Sequence, residues 1–148
     1  MNKNLLLLFI LVLGGLAGRG QSMDDIKKLI ILTQFEKAKP EIDKYLTDTK
    51  NAVKADGWYY KAFIYSNLAR AAAKPAAESK NLNEAAFEAL KKYRELDPKA
   101  PLTTEENNST LFNLYYNLYD LGIKMYNEKN YPESYDFFKR TLDVHDYA

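Results

Sequence analysis

From Ser22 to the end of the chain, large apolar side chains recur at intervals of three and four residues, and no stretch alternates with period two for long. That spacing puts apolar groups on one face of an α-helix and predicts helices that each bury one side. Ile26, Leu29, Ile30 and Thr33 form a short first stripe, and Phe35, Ala38, Ile42, Tyr45 and Leu46 a second. Pro40 falls within the second, so that helix is expected to start or kink there. Trp58, Ala62, Tyr65 and Ala69 make a third stripe, and Leu82, Ala86, Leu90 and Tyr93 a fourth, which Asp97-Pro98 ends. Thr104 then reads as an N-cap, with Glu105 and Glu106 in the first turn. The helix it opens is expected to run to about Asn127 through Leu111, Leu114, Leu118, Leu121 and Met125. A last helix is expected over Asn130 to Leu142, with Pro132 in its first turn.

The N-terminus differs from everything after it. Lys3 is followed by the unbroken apolar run Leu5 to Leu13 and then by small residues from Gly14 to Gly20. The run is shorter than the roughly 20 residues a membrane-spanning helix needs, and the three-part order is that of a secretory signal. Residues 1–20 are therefore expected to be a signal peptide, with Gly18 and Gly20 fitting cleavage before Gln21 and Ala17 offering another position, leaving a 21–148 domain without a stable membrane span. Export to the periplasm or cell exterior follows.

Composition removes several classes of chemistry. The chain has no cysteine, so disulfides, thiolate metal sites and a lipid-modified N-terminal cysteine are excluded. Without Lys3 and Arg19, 19 basic face 20 acidic side chains, so no electrostatic footprint for nucleic acid remains. His145 is the single histidine, which rules out a two-histidine metal site. Asp24-Asp25 and Glu105-Glu106 sit at expected helix starts, where carboxylates complement the dipole. Gly14-Gly15 and Gly18-x-Gly20 lack the lysine of a phosphate loop. No cofactor, metal or catalytic group is expected.

Two units repeat a common pattern. Leu118-x-x-Leu121-Gly122-x-x-Met125 is followed by Tyr131-x-x-Ser134-x-x-x-Phe138-x-x-Thr141-Leu142. Trp58-x-x-Lys61-Ala62-x-x-Tyr65 resumes at Ala86-x-x-x-Leu90-x-x-Tyr93 and closes on Asp97-Pro98. These resemble tetratricopeptide repeats, with a style similar to exported proteins of that family from the Bacteroidetes group. The resemblance implies an all-α fold: an α-solenoid of antiparallel helix pairs, about three repeats at 23–50, 55–98 and 104–143, the first degenerate. Ala38, Ala86 and Ser134 fall 48 apart, more than the usual repeat of about 34. The excess is read as an insertion over Ala71–Asn81 and a long Pro98–Asn108 connection. The family pattern assigns Trp58, Tyr65, Tyr131 and Phe138 to the core and gives Gly122 and Ser134 to close helix contact.

The same resemblance places Tyr59, Phe63 and Ser66, and then Tyr116, Tyr119, Ile123 and Tyr126, on the concave ligand face. That face is aromatic and uncharged, without the Lys and Asn residues that clamp a peptide carboxylate. The expected function is a non-catalytic interaction scaffold for a protein or peptide partner. The alternative is a carbohydrate-binding helical protein, although helical starch-binding lipoproteins need the missing cysteine. An all-helical hydrolase lacks its constellation. Tyr135, Phe137 and Phe138 crowd the last helix, which suggests self-association or further repeats beyond Ala148.

Overall fold

The structure, a computed structural model, describes residues 22–71 and 75–147. The expected signal peptide lies outside them. Every regular element among them is helical. Helix α1 (Met23–Ile31) is capped by Ser22, whose hydroxyl accepts from the Asp25 amide, and Asp24 and Asp25 occupy its first turn. Thr33 reverses the chain at positive φ into α2 (Phe35–Thr47). That helix begins five residues before Pro40 and runs through it; Pro40 is solvent-exposed. A short α3 (Thr49–Ala52) leads into α4 (Ala55–Ala69).

Helices α4 and α5 (Ala76–Leu96) form an antiparallel pair. The Ser79 hydroxyl donates to the Ala69 carbonyl at 2.7 Å and joins their near ends. Residues 76–81, expected to be part of an insertion, are the first turns of α5, which is 21 residues long. Past Asp97 the chain makes α6 (Pro101–Glu105), which is held by the Leu102 amide donating to the Tyr93 hydroxyl at 2.9 Å.

Thr104 thus lies inside a separate short helix and caps nothing. Asn107 and Asn108 both take left-handed φ, 52° and 56°, and break the helix that was expected to be continuous. Asparagine tolerates that region better than most residues. Helix α7 (Ser109–Asn127) starts after them and pairs antiparallel with α8 (Tyr131–His145).

Helix α4 is the centre of the fold. It packs against α2 on one side, α5 on another and α7 on a third, and nine of its fifteen residues are buried. Lys80 of α5 pairs with Glu133 of α8, and the Arg140 guanidinium of α8 lies 5.5 Å from the Phe87 ring centroid. Each hairpin therefore rests on the one before it.

Gly122 is where α7 and α8 touch. A Cβ there would stand 2.7 Å from Cε1 of Phe138, inside any permitted contact, and the Ser134 hydroxyl donates to the Gly122 carbonyl at 2.9 Å. A side chain at 122 would wedge the pair apart. Trp58 is half-buried, with its indole N–H donating to the Ala52 carbonyl at 2.8 Å. Tyr131, expected in the core, is exposed, because α8 presents its first-turn aromatic away from α5.

Candidate functional site

The residues expected on one ligand face divide into two groups. Tyr59 is fully buried, and so is Ser66; Phe63 is half-buried, its ring edge-on to Phe35 at 5.9 Å. The physical reason is the covering of α4 by α7: the Ser66 carbonyl accepts from the Asn117 side-chain amide at 3.0 Å. Tyr59 packs edge-to-face on Tyr60 and Tyr93 at 5.5 and 5.2 Å. Its hydroxyl lies near that of Thr110, yet neither makes a hydrogen bond of acceptable geometry. Burial pushes the Tyr59 phenol up to about 12.

Tyr116, Tyr119, Ile123 and Tyr126 are exposed, and Phe112 joins them. These five recur along α7 at intervals of four, three, four and three, which aligns them in one stripe down the helix. Helix α8 carries a second stripe of the same spacing: Tyr131, Tyr135, Phe138 and Leu142, all but the half-buried Phe138 exposed. Tyr119 meets Phe138 at 5.8 Å between ring centroids, and Tyr126 meets Tyr131 at 5.5 Å. The two stripes are therefore neighbours on the same side of the hairpin. At its far end a notch of about 150 Å³ opens between Phe112, Tyr115, Tyr116 and Val144. The α8 half of this face was read only in part: Tyr135, Phe137 and Phe138 were expected to leave aromatic surface uncovered, of which Phe137 is buried, while the repeat pattern gave Tyr131 and Phe138 core positions. The four-three spacing of 131, 135, 138 and 142 was the signal that could have shown it.

A polar cleft of about 350 Å³ lies between α4, α5 and α7. At its floor the Asn117 amide donates to Asn83 Oδ1 at 2.8 Å, and Arg70, Asp120 and Lys124 stand around it. It contains none of the exposed aromatics.

A second cluster went unread in the sequence. Asp43 on α2 accepts from Lys61 Nζ at 2.8 Å and from the Tyr65 hydroxyl at 2.6 Å on α4, and from Lys39 Nζ at 3.2 Å. Burial favours the neutral acid, but these hydrogen bonds and the Lys61 charge outweigh it and hold the carboxyl below its ordinary value of 3.8. Burial and then Asp43 push the Tyr65 phenol strongly upward. With both partners spaced four apart on their own helices, the arrangement reads as a tie between α2 and α4.

Among the described residues no cluster of His, Asp or Glu has the grouping of a metal site, and no helix is long and apolar enough to cross a membrane. His145 is exposed beside Asp146. No protein-family model matches the chain, and no curated protein or solved structure matches it either.

Proposed function

We propose that this chain is an exported, non-catalytic interaction scaffold built from tetratricopeptide-like helix pairs, and that it engages a protein partner through the outer face of α7 and α8. One observation carries the reading: the two aligned stripes of exposed aromatic and aliphatic residues on a single hairpin. Each such side chain offers on the order of 100 Å², so eight of them make roughly 800 Å², well beyond the few hundred Å² of apolar patch that a monomer usually shows to water. The close approach of α7 and α8 at a bare glycine supports the repeat reading. The leader-like Leu5 to Leu13 run supports export.

The test is capture from an envelope extract with the native chain and with Tyr116→Ser/Tyr126→Ser. A partner retained by the native chain and lost by a folded variant supports the reading. Equal retention places the binding surface elsewhere. The exposed tyrosine rings also suit stacking on sugars; glycan-array binding that disappears with the same variant would favour that second reading.

A further inference from the structure

We infer that the partner of the α7·α8 face is a second copy of this chain, docked by a twofold axis parallel to the helices to complete a four-helix bundle. The inference rests on the interaction reading above and names the occupant of that surface.

Intervals of four and three are those by which one helix packs along another at a shallow angle, and here two antiparallel helices display them side by side. That is half of a four-helix bundle. The molecule contains a precedent for the cover. The outer face of α4, with Tyr59 and Ser66, is buried by helix α7.

Charge then selects a copy of the same chain. By helical periodicity Asp120 stands beside the α7 stripe on the side away from α8, at the rim of the polar cleft that Arg70 and Lys124 also line, and Lys139 beside the α8 stripe on the side away from α7. Both are exposed, and neither joins an ion pair among the described residues. Because Tyr119 meets Phe138 across the hairpin, Asp120 and Lys139, one residue further along each helix, stand about 3 Å apart in level. A twofold axis parallel to the helices lays α7 of one copy over α8 of the other, antiparallel. It brings Asp120 of each copy to Lys139 of its mate at that shared level. The face thus matches itself in side-chain spacing and in charge. At roughly 800 Å² a side it also matches a standard stable interface.

Sedimentation of the full chain across a micromolar concentration series tests this, alongside Tyr135→Glu, Asp120→Lys, Lys139→Asp and the double charge exchange. The native chain should be a dimer, and Tyr135→Glu a monomer with native helicity. Each single charge reversal should weaken dimerisation about tenfold, and the double exchange should recover it. A native chain that stays monomeric overturns the inference, as does association that Tyr135→Glu leaves intact, including any through the Leu5–Leu13 run. If the chain is monomeric but captures another protein in a Tyr116- and Tyr126-dependent way, only the choice of a second copy fails. If it is monomeric and capture ignores those residues, the interaction reading fails as well.

Discussion

Replacing Tyr59 by phenylalanine should make the protein more stable. The ring is fully buried against Tyr60 and Tyr93, and phenylalanine keeps that packing. What it removes is a hydroxyl without a hydrogen-bond partner. An unsatisfied buried polar group costs about 1–3 kcal/mol. The lower end applies, since the Thr110 hydroxyl lies close by, so a gain of about 1 kcal/mol is expected. For a chain of this size that corresponds to roughly 3–4 °C in Tm. Tyr59→Ala should instead lose about 3–5 kcal/mol, as other large-to-small core changes do. Urea and thermal unfolding followed by circular dichroism measure both. A Tyr59→Phe protein destabilised by 1 kcal/mol or more would show the hydroxyl to be well bonded and refute the argument. Tyr59→Ala with native stability would show that α7 does not cover α4. The same burial makes a pH prediction. A phenol raised from 10.0 to about 12 contributes stability that is fully present below pH 10 and disappears as pH rises towards 12. Tyr59→Phe should flatten that alkaline loss in a pH series of urea midpoints.

Three other outcomes follow from the packing. Gly122→Leu should cost at least about 2 kcal/mol through overpacking, and Phe138→Ala should return part of the loss, which a double-mutant cycle reads directly. Asp43, held below its ordinary value, contributes stability that is present above the unfolded carboxyl pKa and is lost as pH falls through the folded one. Asp43→Asn should therefore reduce the steepness of acid unfolding below about pH 4 and cost about 1 kcal/mol at neutral pH, the third of the side chain that stays exposed limiting the effect. Asn117→Leu should lose about 1–3 kcal/mol, because it strands Asn83 Oδ1 and the Ser66 carbonyl, and unfolding in urea reports it.

Helices at the edge of the fold were legible because each buries one side. Ile26, Ala38, Ile42, Leu90, Leu114 and Leu118 are fully buried, and each was marked by its spacing alone. Gly122 was legible through the tetratricopeptide resemblance, whose pattern puts a tiny residue where paired helices touch. Helix α4 was legible on one face only. Ala62, Tyr65 and Ala69 of its stripe are buried, but the helix is enclosed on three sides, and Tyr59 and Ser66 looked available only on a repeat pattern that ignores what the next helix covers. Its composition held a warning, since Asp56 and Lys61 are its only charged residues. The break at Asn107 and Asn108 was hidden because Thr104-Glu105-Glu106 is a good helix start by local rules. Two consecutive left-handed residues displaced the start to Ser109. The α7 half of the exposed face was found as groove positions; on its α8 half Tyr135 was read as uncovered aromatic surface, whereas Tyr131 was taken for core.

The proposed binding role of the outer face of α7 and α8 is tested most directly by photo-crosslinking, with a light-activated residue placed at Tyr126 or, for comparison, at the exposed Lys44 on α2. In producing cells Tyr126 should yield one discrete adduct, at twice the chain mass if a second copy is bound, and Lys44 should yield none. An adduct from Lys44 with none from Tyr126 would contradict the account.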